Sequence, residues 1–176
     1  MDWKRRRQIG DLAGRVQQAL RLGGPPYDVR MAVARLQGEI VPPSDFFTEA
    51  SVRKKGDSFV IEAAVAASDE RERFSIAHEL GHLFLHMGYL VDPATWNRID
   101  KYRDSPMYRQ GHSDEEYEAN EFAAAFLMPE AEFRRVAEAN RVGSAYNTLE
   151  IAKAFEVSVP AAQNRGKWLG MFAWSQ

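Results

Sequence analysis

The chain has 176 residues, 45% of them apolar, enough for one core to be buried without disulfides or obligate oligomerisation. With 23 Lys plus Arg against 25 Asp plus Glu, the formal charge of -2 makes no overall case for a nucleic-acid binder. The absence of cysteine excludes disulfide scaffolds, thiol catalysis and cysteine-ligated zinc or iron-sulfur sites, and it is compatible with a reducing compartment.

Over residues 2–22, Ile9, Leu12, Ala13, Val16 and Leu20 recur every three or four positions, which predicts an amphipathic helix with its arginines in water. Gly23, Gly24, Pro25 and Pro26 stop it. The basic run Lys4 to Arg7 leads into Gln8, Gly10 and Asp11, not an apolar stretch, so it reads as a solvated helix face and not as the start of a signal peptide. A short helix follows over residues 28–37, with Gly38 as its terminator, and residues 39–41 read as extended. Residues 47–54 and 58–65 are strand-like runs separated by Lys55, Gly56 and Asp57, the pattern of an antiparallel hairpin in a small sheet.

Asp69 followed by Glu72 resembles a capping box, and residues 70–87 then carry helical periodicity with apolar side chains nearly all round, as a buried central helix requires. Residues 88–113 mix Pro, Asp, Arg, Tyr and Gly without a period, as a lid, a binding loop or a partly disordered segment does, and are the candidate mobile flap. Helices are expected over residues 114–128, ended near Pro129, and over 130–140, 145–155 and 159–169. The longest apolar run, Phe122 to Met128, is far short of the roughly 20 residues that span a bilayer, so neither membrane association nor export is expected and the reading is cytoplasmic. There is no internal repeat.

His78-Glu79-Leu80-Gly81-His82 matches HExxH, and a helix sets its two imidazoles one turn apart on one face, where both can reach one metal ion. Left unpaired in a buried helix, three such polar groups would cost several kcal/mol, a cost that metal binding removes. Glu79 is expected to take a proton from a water at the metal and hand it to a leaving amine, which makes peptide hydrolysis the natural reaction. A third ligand must be a carboxylate or histidine. Advancing 100° per residue along the acidic helix puts Glu116 on the side of Ala119, Asn120, Ala123 and Leu127, whereas Glu118 and Glu121 point away. Glu116 is therefore the expected ligand, Glu115 the reserve, and Asp114 a partner of the helix start. Asn120, one turn on, is placed to orient a ligand imidazole. His86 lies about 12 Å of helix rise from His78, too far for both to hold one ion, and reads as a non-ligand. His112, just before the acidic helix, is either exposed or an oxyanion stabiliser. Zinc suits the donor set, and Mn2+, Fe2+ or cobalt would also be accepted.

Arg73 to His82 (RFSIAHELGH) and Glu116 to Pro129 (EYEANEFAAAFLMP), in this order and on these helices, resemble the ImmA/IrrE family of metallopeptidases. The resemblance implies an α+β fold with a minimal zincin-like core: a small, mostly antiparallel sheet packed on the HExxH helix, with additional helices at both ends. It makes His78, His82 and Glu116 the zinc ligands, and Asn120 matches the supporting position four residues after the glutamate. The zincin analogy also makes residues 58–65 the sheet edge to which a substrate strand would add. A single domain over residues 1–176 is expected, with N-terminal helices over 1–37, the sheet and active-site helices over 38–129, and a helical segment with helix-turn-helix-like spacing over 130–176.

Members of that family are site-specific endopeptidases acting on helix-turn-helix repressors in stress responses, mobile-element induction or toxin-antitoxin-like modules. The implied partner is a DNA-binding repressor encoded nearby as a separate polypeptide, since residues 1–25 hold only one helix. Direct nucleic-acid binding is not expected: Lys153, Arg165 and Lys167 are offset by Glu150 and Glu156. The competing function is a non-catalytic regulatory module that keeps the metal fold and docks a repressor or DNA.

Overall fold

The computed structural model describes residues 1–43, 50–64, 68–99 and 114–173. Short polar side chains start most of its helices. Asp2 accepts the Arg5 N–H at 2.7 Å before α1 (Trp3–Ala19), and Asp28 accepts the Met31 N–H at 2.9 Å before α2 (Val29–Arg35). The central helix α3 (Asp69–Leu85) is capped by Ser68, whose hydroxyl accepts from the Arg71 N–H, and not by the expected box on Asp69. Asp69, Glu70 and Glu72 lie in its first turn, where carboxylates meet the positive end of the dipole.

The sheet has the order β1-β3-β2. Strands β2 (Ala50–Lys55) and β3 (Ser58–Ala63) form the expected hairpin, in register from Lys55 opposite Ser58 to Ala50 opposite Ala63. β1 (Glu39–Val41) pairs parallel to β3 on its other side, which makes the sheet mixed. Both sides of β3 are therefore paired, and the expectation that this strand forms the sheet edge is corrected: among the described residues the edges are β1 and β2. A strand paired on both sides suits the nearly continuous burial of Phe59 through Ala63. Residues 47–49 and 65, expected as strand, lie outside the described residues. Gly38, expected only as a helix terminator, is needed for space, because a Cβ there would come within 2.3 Å of the Phe59 ring; the left-handed turn after α2 falls on Gln37, at φ 63°.

α3 packs against the β2–β3 hairpin on one side and α5 (Asp114–Leu127) on the other. The expected flap contains a short helix, α4 (Pro93–Arg98), capped by Asp92; residues 100–113 lie outside the described residues. After α6 (Glu130–Ala139), a small hairpin of β4 (Arg141–Val142) and β5 (Ala145–Tyr146) turns at Gly143, φ 62°. The helix expected from residue 145 therefore starts later, as α7 (Thr148–Phe155), because Ala145 and Tyr146 pair back on β4 and Asn147 supplies the cap. α8 (Val159–Trp168) is capped by Ser158. One apolar cluster runs from Ile9 in α1 to Ala162 in α8.

The arginines of α1 are not all in water. Arg5 grips Glu118 of α5 through two bonds of 2.6 and 2.5 Å, and Arg6 donates to Glu121 at 2.9 Å while its guanidinium stacks 3.5 Å from the Trp168 ring. Glu121 also accepts from Arg165 of α8 at 3.0 Å, and both of these residues are only 6% exposed. The basic start of the chain is thus a tertiary clamp that ties α1 to α5 and α8. Among the described residues no helix is long and apolar enough to cross a membrane.

Candidate metal centre

α3 and α5 can approach closely because Gly81 sits at their crossing, where a Cβ would lie 2.9 Å from the Ala119 Cα and 3.0 Å from its carbonyl oxygen. This contact brings Glu116, at the start of α5, over the face of α3 that carries His78 and His82. His78 Nε2 and His82 Nε2 are 3.0 Å apart, and the Glu116 carboxylate reaches them at 3.3 Å (Oε2 to His78) and 3.2 Å (Oε1 to His82). One donor atom from each residue lies within 4.8 Å of the others, and His82 is completely buried. Neighbouring donors around a tetrahedral ion with 2.0–2.1 Å bonds stand about 3.3 Å apart, so the spacing and the two-imidazole, one-carboxylate chemistry both fit a divalent metal.

The distal nitrogens of both imidazoles also have partners. His78 Nδ1 is 3.1 Å from Asn120 Oδ1, so Asn120 stands where the helical spacing put it. His82 Nδ1 is 2.9 Å from His86 Nδ1, and His86 Nε2 is 3.3 Å from Glu118 Oε2. His86 is outside the three-residue donor group, yet it touches the far side of one of its members. Glu118, which the helical wheel turned away, contacts α3 one turn beyond the group. The reason is length: the α5 backbone turns Glu118 aside, but its side chain spans to His86 while Arg5 holds it from the other flank. The hydrogen bond from Arg5 holds the Glu118 carboxyl below the usual range, and burial pulls the His86 imidazole down against the pull of Glu115 and Glu118.

Glu79 is 2% exposed within α3, between the two histidines in sequence and outside the three-donor group. Glu115 is exposed and Asp114 opens the first turn of α5, whereas His112 lies outside the described residues. The helical wheel turns Glu118 away and the charge pattern puts Arg5 on a solvated face, and the contacts correct both. His86 carried a signal, since its four-residue spacing from His82 puts it on the same helix face, but the roles of Glu118 and Arg5 depend on contacts between distant segments.

The family model Peptidase_M78, described as the IrrE N-terminal-like domain, matches residues 53–167. The chain belongs to this family. Its M78 segment spans α3 and α5, hence every residue of the donor group, and leaves α1 outside. Among solved structures, a Mycobacterium tuberculosis transcriptional regulator matches with a TM-score of 0.60 and 21% identity over 90% of this chain and 46% of that one. The likeness is one of fold, and this chain spans less than half the length of that neighbour. No curated protein matches the sequence. The M78 segment is thus metallopeptidase-like, the whole chain has an α+β fold of eight helices and a small mixed sheet among the described residues, and His78, His82 and Glu116 can hold a metal.

Proposed function

We propose that this protein is a metal-dependent endopeptidase that cuts one specific protein, a helix-turn-helix transcriptional repressor, and thereby regulates gene expression in a stress response, a mobile element or a toxin-antitoxin-like module. The observation that carries the reading is the convergence of His78 Nε2, His82 Nε2 and the Glu116 carboxylate within bonding reach of a single ion. Zinc is the proposed ion, with Mn2+ and Fe2+ as alternatives; once bound it would supply Lewis acidity, which lowers the pKa of water toward about 7. Glu79 is the proposed general base and acid: its carboxylate takes a proton as the water oxygen attacks the peptide carbonyl, and returns it to the amine nitrogen as the C–N bond breaks. Asn120 holds His78 by its Nδ1, and His112 is proposed as an oxyanion stabiliser.

The chain is proposed to work as one domain in the cytoplasm, on a repressor encoded nearby. Nucleic acid is not a proposed ligand. Arg165 is buried against Glu121 and Lys153 pairs with Glu150 at 2.8 Å, so these positive charges of the C-terminal helices are engaged within the chain. The test is to incubate the zinc-loaded protein with that repressor and weigh the fragments. A single cut is expected, with Glu79→Gln retaining metal but producing no fragment; an intact repressor after prolonged incubation with the loaded wild type overturns the reading. The likeness to a transcriptional regulator favours a second reading, a docking module without hydrolysis. That reading requires Glu79→Gln to relieve repression in cells as well as the wild type does.

A further inference from the structure

A carboxylate can only accept a hydrogen bond, so the contact between Glu118 Oε2 and His86 Nε2 puts a proton on that nitrogen. A neutral His86 then presents a lone pair at Nδ1, 2.9 Å from His82 Nδ1, and His82 must donate through its own Nδ1–H. This leaves His82 Nε2 with its lone pair directed at His78 Nε2 and Glu116, the state a metal ligand needs. The chain of contacts does not end at Glu118. Both of its oxygens are gripped by Arg5, which fixes the carboxylate against His86, and Arg5 belongs to α1, outside the segment that the family model matches.

We propose that His86, Glu118 and Arg5 are positioning residues that set the tautomer and orientation of His82, so that docking of the N-terminal helix α1 is part of what makes the metal site bind tightly. The inference rests on the reading of His78, His82 and Glu116 as metal ligands. A second contact of α1 provides the contrast: Arg6 ties the same helix to the same α5 through Glu121, which also accepts from Arg165 and, among the described residues, is outside the donor group. If α1 served only as packing, losing Arg5 and losing Arg6 would have similar effects on the metal. If the chain operates as proposed, only Arg5 matters.

The experiment measures zinc affinity of the full-length protein by competition with a chromophoric chelator, together with the visible spectrum of the Co2+-loaded form and the thermal melt of each variant. His86→Leu is expected to weaken zinc binding about 10- to 100-fold, in the range for lost outer-shell partners of a metal ligand, and to change the Co2+ bands. His86→Gln, whose amide oxygen restores an acceptor, is expected to recover most of that loss. Arg5→Ala is expected to weaken binding by up to about tenfold, Arg5→Lys to recover part of it, and Arg6→Ala to lower the melting temperature while leaving zinc affinity unchanged. Wild-type affinity in both His86→Leu and Arg5→Ala overturns the proposal, as does an equal loss in Arg5→Ala and Arg6→Ala. His78→Ala separates the two levels: a wild type that binds zinc no better than His78→Ala overturns the ligand reading and this inference with it, whereas strong His78-dependent binding that ignores His86 and Arg5 overturns the inference alone.

Discussion

Gly81 shows how one missing side chain sets the metal geometry. A methyl group at this position would press on the backbone of Ala119, which has no means of yielding except by moving α5 as a unit. Since Glu116 rides on α5 and His78 and His82 on α3, the donor distances depend on that gap. Gly81→Ala is expected to destabilise the fold by about 1–3 kcal/mol, as overpacking does, and to weaken zinc binding, both read by urea melts and chelator competition. Asn120 acts at the same scale. Its Oδ1 meets His78 Nδ1 at 3.1 Å, and Asn120→Ala is expected to cost about tenfold in zinc affinity with the melt little changed, because the residue is exposed.

Among the elements, α5 is held from both flanks: α3 lies against its Ala119 and Phe122 face, while α1 and α8 meet at Glu121. Arg6 and Arg165 share that one buried carboxylate, so its loss leaves two cations without their common partner. Glu121→Gln is expected to cost about 3–5 kcal/mol in urea unfolding, the range for breaking a buried ion pair on one side. The cap of α3 is a smaller local contribution: Ser68→Ala is expected to lower stability by about 1 kcal/mol, seen as a shift in the thermal midpoint. The hairpin β2–β3 and the helices were legible because their periods and turn residues are local, as with Gly56 at φ 61° before Asp57. The parallel pairing of β1 was not, since three residues carry no period and their partner lies on a strand already matched to β2.

Across the whole molecule, the donor group joins helices α3 and α5, separated by a long stretch of chain, so a bound ion acts as a crosslink that the unfolded chain cannot form. Zinc at about 100 times its Kd is expected to add about 2.7 kcal/mol to the unfolding free energy, to be reversed by EDTA, and to have no effect on His78→Ala. Calorimetry with and without metal checks this, and an unchanged midpoint in the wild type would contradict a native-state site.

The order of residues was by itself enough to place His78 and His82 on one helix face and Glu116 on the inward side of another, because a 100° step per residue is a property of the local backbone. Through the family resemblance that its motifs carry, it also sufficed for the α+β class. It could not show that Arg5 leaves solvent for Glu118, that Glu118 reaches His86, or that Arg165 is buried, since the partners lie 113, 32 and 44 positions apart. Such pairings are decided by which helix faces the core brings together. A charged side chain has no local preference between water and a carboxylate on a helix that only the tertiary fold delivers.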